Sequence, residues 1–266
     1  MYFVTRDKVK ICYDFFAGDS VVILLPGISE NRQIWLKQLE LLKSQNFGVL
    51  NVDFRNQGES QRTYRGQRIF QLASDVHELI NYLKINRPIM IGHSMGAAVS
   101  FAYLALYGST NITAVVDVDQ SPKMINDENW KYGLKNLNWE TFPELLKLPL
   151  PSPTWHGIRT DIKEVLTKIK KKNPYSPTAN QALLIDNAFQ DWRDVIAESE
   201  CPFYFITGEY SPYFDHRFAS AMVAIAKNAD CTSVSNAGHI VMAEQPELFN
   251  KTLLSALNWI SSIKGK

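Results

Sequence analysis

Apolar positions along this chain fall into two rhythms. Short, largely apolar runs, rich in Val and Ile, occupy residues 20–25, 47–54, 88–92 and 112–118. Val21-Val22-Ile23-Leu24-Leu25 is typical, stopping abruptly at Pro26-Gly27. Such runs suit strands covered on both faces. Between them, apolar residues recur at helical spacing, as in Ile34, Trp35, Leu39, Leu41 and Leu42 of residues 32–45, and again over 69–84 and 94–107. Two strands, 2–5 and 9–16, precede this series, with a turn near Arg6-Asp7. Strands alternating with helices predict βαβ crossovers and a mostly parallel central sheet flanked by helices. The alternation lapses over 122–199, where helical stretches are expected near 140–148, 160–172 and 179–197. It resumes with strands at 202–207 and 231–235 and helices at 214–227 and 244–263. The expected organisation is one α/β domain with its core in 1–121 and 200–266 and an inserted helical segment, 122–199.

Composition narrows the partners. The 266 residues carry 28 Lys and Arg against 27 Asp and Glu, a net charge of +1. A nucleic-acid surface needs clustered excess cations, so none is expected. The single charge run, Lys168 to Lys172, reads as a solvated helix end. Cys12, Cys201 and Cys231 show no CxxC spacing, which argues against a zinc cluster and fits a reducing cytoplasm. Met1 to Asp7 lacks a basic segment followed by an apolar stretch, and no apolar run is long enough for a membrane span. A soluble cytoplasmic protein acting on a small molecule, with no membrane partner, is the expectation; oligomeric state leaves no trace in the sequence.

The sharpest chemical signal is Gly92-His93-Ser94-Met95-Gly96, a GxSxG sequence between the strand Ile89-Met90-Ile91 and a helix opening at Ala97. A strand turning sharply into a helix needs glycines around its apex, and the turn lifts the Ser94 hydroxyl to a helix N-terminus. The alternative is an ordinary helix cap. A serine hydroxyl needs a base. Of His77, His93, His156, His216 and His239, the choice is His239, in Asn236-Ala237-Gly238-His239 after the last strand. Catalytic groups collect at the carboxyl ends of parallel strands. His93, inside the elbow, is expected to point away from the nucleophile.

An acid must orient the histidine. The loop after Phe203–Thr207 offers Ser211 where an aspartate would be expected, so Asp119, just past Val118, is preferred; Asp117 and Asp215 are rivals. The backbone N–H groups of Ile28, after Pro26-Gly27, and Met95 are positioned to serve an oxyanion hole. In the turn-rich loop Asp53 to Ser60, Asp53 and Arg55 are expected to brace the site. No phosphate cradle, metal-ligand cluster or dinucleotide fingerprint is present, so no cofactor or metal is expected.

Taken in order, Pro26-Gly27, Asp53 to Ser60, the Ser94 elbow and Gly238-His239 to Pro246 resemble the α/β-hydrolase superfamily over nearly the whole chain. The resemblance implies that fold, with 122–199 as a helical cap over the site. The acid at Asp119 rather than at Ser211 is similar to family members whose acid follows the sixth strand. Leu24-Leu25-Pro26-Gly27 and Ser121-Pro122-Lys123 also resemble the cofactor-free dioxygenases that open 3-hydroxy-4-quinolone rings. Fold alone does not choose the chemistry. A serine esterase using Ser94, His239 and Asp119 leads. A dioxygenase using the His239–Asp119 pair as base stands second. A catalytically silent small-molecule receptor stands third.

Overall fold

The computed structural model describes residues 1–147 and 150–264, Lys264 by its backbone only. Its strands are β1 (Tyr2–Val4), β2 (Lys10–Phe16), β3 (Val21–Leu25), β4 (Gly48–Val52), β5 (Ile89–His93), β6 (Ala114–Val118), β7 (Phe203–Gly208) and β8 (Ala229–Val234). They form one sheet in the order β1-β2-β4-β3-β5-β6-β7-β8. β1 and β2 pair antiparallel, and the strands from β4 to β8 run parallel.

Burial of both faces explains the largely apolar runs. Ile23, Leu25, Met90, Val115 and Phe205 belong to one buried cluster, while their neighbours Val22, Leu24, Ile91, Val116 and Ile206 belong to the other. Helices α1 (Leu36–Ser44), α2 (Ile69–Tyr82) and α3 (Met95–Tyr107) connect the first parallel strands. Between β6 and β7 come α4 (Thr160–Lys172), α5 (Gln181–Phe189) and α6 (Arg193–Glu198); α7 (Phe218–Val223), α8 (Val241–Glu244) and α9 (Pro246–Lys264) complete the chain. No helix among the described residues is long and apolar enough to cross a membrane.

Three helices differ from expectation. The stretch 179–197 breaks after Phe189 because the chain docks on Pro122 and Lys123: Trp192 N–H donates to Pro122 O at 2.9 Å and Asp191 bridges Lys123. The expected helix at 214–227 starts only at Phe218, since the Asp215 carboxylate accepts the Arg217 N–H at 3.0 Å and holds a turn there. The stretch near 140–148 is a 3₁₀ turn, Phe142–Lys147, and Leu148 lies outside the described residues.

The strand order fixes where a site can form. From β3 the chain crosses to β4 on one side, then to β5 on the other, leaving a crevice beyond the carboxyl ends of β3 and β5. Ligands bind at such reversals. The loops after β3, β5, β6 and β8 carry Ile28, Ser94, Asp119 and His239 respectively.

Candidate active site

Ser94 is the single residue between the end of β5 and the start of α3. Its backbone stands at φ 50°, ψ −124°, a conformation that is costly for any residue with a side chain. The neighbouring glycines make the turn feasible. A Cβ on Gly92 would lie 2.3 Å from Ala97 N, and one on Gly96 would lie 2.3 Å from Leu25 O. Packing this close admits only hydrogen at those positions. The Ser94 N–H donates to Val118 O at 2.9 Å, tying the elbow to β6. Its Oγ makes no hydrogen bond among the described residues, and Ser94 lines a cavity of about 500 Å³.

His239 lines the same cavity. Its Nδ1 lies 2.7 Å from Asp119 Oδ2, and Asp119 is wholly buried. The same carboxylate oxygen accepts from Ser211 Oγ at 2.6 Å, and Oδ1 accepts from Gly208 N–H at 3.0 Å. An anion holding Nδ1–H leaves Nε2 as the basic nitrogen. Burial, aided by the positive charge of His93, holds the His239 pKa below its ordinary value, against the pull of Asp119. The rivals sit elsewhere: Asp117 lies within β6 and accepts the Gln120 N–H at 3.0 Å. Asp215 pairs with Arg217, whose hydrogen bonds bring its pKa down to about 2.

His93 departs from expectation. Instead of pointing away, its ring lies 4.6 Å from that of His239 and lines the cavity. Two buried acceptors draw it there: Nε2–H donates to the His239 carbonyl at 2.9 Å, and Nδ1 meets Glu30 Oε2 at 2.9 Å. The same Glu30 oxygen accepts the Gly27 N–H at 2.6 Å. Burial opposes both charges, yet their mutual attraction lowers the Glu30 pKa and raises that of His93. The pair is an imidazolium and a carboxylate, clamping the loops after β3, β5 and β8 together. Only a lone acid three residues past Gly27 marked Glu30 in the sequence.

Gln57 is a second residue that pattern reading passed over. Its Oε1 accepts the Ser29 N–H, and its Nε2 donates to Gly27 O at 3.2 Å, holding the loop that contains Ile28. Asp53 grips Arg32 through the backbone N–H at 2.7 Å and Nη1 at 2.6 Å. Arg55 instead joins Asp75 and Asp7, tying α2 to the β1–β2 turn without lining the cavity. Ile28 is in the cavity wall, and Met95 follows Ser94 wholly buried. Neither residue's N–H donates to a protein acceptor among the described residues.

Residues 122–199 supply much of the remaining wall, including Met124, Leu145, Leu166 and Leu184. His239 is fastened to this segment. His239 N–H donates to Pro153 O at 2.8 Å, and Glu244 accepts from Trp155 N–H at 2.7 Å and Gly238 N–H at 3.1 Å. Tyr213 packs on the His239 ring at 4.7 Å. Cys12, Asp53 and Glu59 present donor atoms within 4.8 Å of one another. The Arg32 guanidinium already balances those carboxylates, at 2.6 Å from Asp53 and 2.9 Å from Glu59, so the cluster has its cation.

Comparison with known proteins agrees on the fold. A family model for the α/β-hydrolase fold matches residues 20–142. An AB hydrolase superfamily protein, YisY of Bacillus subtilis, is 22% identical over 97% of this chain and 98% of its own. The esterase EaEST of Exiguobacterium antarcticum superposes with TM-score 0.84 at 20% identity, covering 97% of this chain and 98% of that one. A bromoperoxidase from Bacillus anthracis superposes with TM-score 0.82 at 19% identity, covering 95% and 97%.

Proposed function

The chain belongs to the α/β-hydrolase superfamily, and from that premise we propose that it is a serine hydrolase acting on small, largely apolar esters. One observation carries the reading: a strained Ser94, its Oγ without a hydrogen bond among the described residues, shares a cavity wall with a His239 held by a buried Asp119. The esterase among its structural neighbours points the same way.

In this mechanism Ser94 Oγ attacks the ester carbonyl as its proton passes to His239 Nε2. The tetrahedral oxyanion is held by the N–H groups of Ile28 and Met95. Collapse breaks the bond to the alkoxide, which leaves with the proton from His239. Water then attacks the acyl-Ser94, with His239 again taking a proton, and Ser94 is released with the free acid. Residues 122–199 act as a cap whose apolar side chains receive the acyl chain and exclude water.

Ser94→Ala tests the reading. Turnover of phenyl esters should fall by at least about 10³-fold while the thermal melt is unchanged, since the covalent step is lost. A variant that keeps most of its esterase rate would contradict the mechanism. The ring-opening dioxygenase remains a second reading because the His239–Asp119 pair is complete without a bond to Ser94. Oxygen consumption with a 3-hydroxy-4-quinolone, undiminished in Ser94→Ala, would establish that reading instead.

A further inference from the structure

One helical stripe brings two lysines to the cavity wall. Lys163, Leu166, Thr167 and Lys170 of α4 all line it, at the three- and four-residue spacing of one helix face. The two lysines stand two turns apart, about 10 Å along the axis. Neither forms an ion pair among the described residues, whereas Lys37, Lys123, Lys147 and Lys227 all do. The other charges in the wall, Glu30 and His93, are spent on each other, leaving His239 as the neutral base. Lys170 belongs to the run expected to be a solvated helix end; it is exposed there and also lines the mouth of the cavity. Both lysines are exposed, so the rim of the cavity carries two positive charges with no ion-pair partner among the described residues, in a molecule whose net charge is only +1.

Resting on the hydrolase reading, we propose that the substrate is an ester bearing a carboxylate away from the scissile bond, and that Lys163 and Lys170 select it. Lysine is well suited to such selection, because its stem packs along the apolar wall while the ammonium stays at the wet rim. Attraction there raises the local concentration of anions and favours their capture.

The test compares phenyl hydrogen succinate, adipate and suberate with phenyl pentanoate, heptanoate and nonanoate. These pairs match in length and differ in the terminal charge. At the best length, the ratio of kcat/KM for the anionic ester to that for the neutral one should fall about tenfold in Lys163→Gln/Lys170→Gln, the sum expected of two partly exposed charges. Raising the salt should lower the same ratio in the parent protein. Lys168→Gln/Lys171→Gln removes the same charge from residues of α4 outside the cavity wall, and its ratio should stay within about twofold of the parent. A ratio unchanged in the first double variant, with its melt intact, overturns the proposal.

If no ester of either kind shows Ser94-dependent turnover, the hydrolase reading fails on its own. The charge selection is then read by calorimetric titration of the parent protein with octanoate and octan-1-ol. Tighter binding of octanoate, lost in Lys163→Gln/Lys170→Gln, upholds the selection; equal binding of the two refutes it.

Discussion

Asp119 accepts from Gly208 N–H, Ser211 Oγ and His239 Nδ1, with its own backbone at φ 55°. A residue held this way in a costly conformation has its carboxylate aimed before substrate arrives. Asp119→Asn should lower kcat by about 10³- to 10⁴-fold, because an amide neither stabilises an imidazolium nor secures the right tautomer. Asp117→Asn and Asp215→Asn should each stay within about tenfold, as neither touches His239. The pH profile gives an independent reading. In the proposed mechanism His239 works as the neutral base, so the rate should be high above its pKa and fall as pH drops through it. With that pKa below the ordinary 6.5, the acid limb should lie below pH 6.5. Removing the Asp119 charge removes a raising influence, so the residual limb of Asp119→Asn should move to still lower pH. A limb that moves up would contradict the pairing. At this scale the sequence marks the placement of Ser94, His239 and Asp119, because at each a residue type and a strand end coincide. Glu30, Gln57 and His93 escaped because their roles depend on partners 63, 30 and 146 residues away.

The loops after β6 and β7 meet at one point, with Ser211 Oγ 2.6 Å from the Asp119 carboxylate. Parallel neighbours in the sheet explain this, since Val118 pairs with Ile206 and both strands end at the same edge. A carboxylate at position 211 would therefore start close to where that of Asp119 stands. Asp119→Ser/Ser211→Asp should recover at least about tenfold of the rate lost in Asp119→Ser alone, because it restores a negative charge beside His239 Nδ1. Equal rates for the single and double variants would show that the loop after β7 does not reach. Strands and their order of alternation were legible because a buried parallel strand is a short apolar run. Helix limits were less so. The break between α5 and α6 is imposed by docking on Pro122 and Lys123, and nothing local in 179–197 announces it.

Across the whole molecule, one buried ion pair gathers loops from three strands. Glu30 follows β3, His93 ends β5, and the carbonyl that His93 bonds belongs to His239, after β8. The Glu30 side chain is 10% exposed and that of His93 1%, so breaking the pair leaves an uncompensated charge in the interior. That costs about 3–5 kcal/mol. The pH dependence follows from the signs. His93 has a raised pKa, so its contribution is complete below the ordinary 6.5 and fades as pH rises through the raised value. Glu30 has a lowered pKa, so its contribution is complete above the ordinary 4.5 and fades as pH falls through the lowered value. The stability lost in Glu30→Gln, measured by urea unfolding, should therefore be greater at pH 6 than at pH 9. A loss independent of pH would mean the pair is not ionic.

In the proposed mechanism Ser94 is a nucleophile activated by His239. The most direct measurement is covalent labelling by a fluorophosphonate ester, followed by intact mass and peptide mapping. One adduct should form rapidly, on Ser94, and its rate should fall by at least about 10³-fold in His239→Ala. No adduct, or one that forms equally fast without His239, would contradict the account.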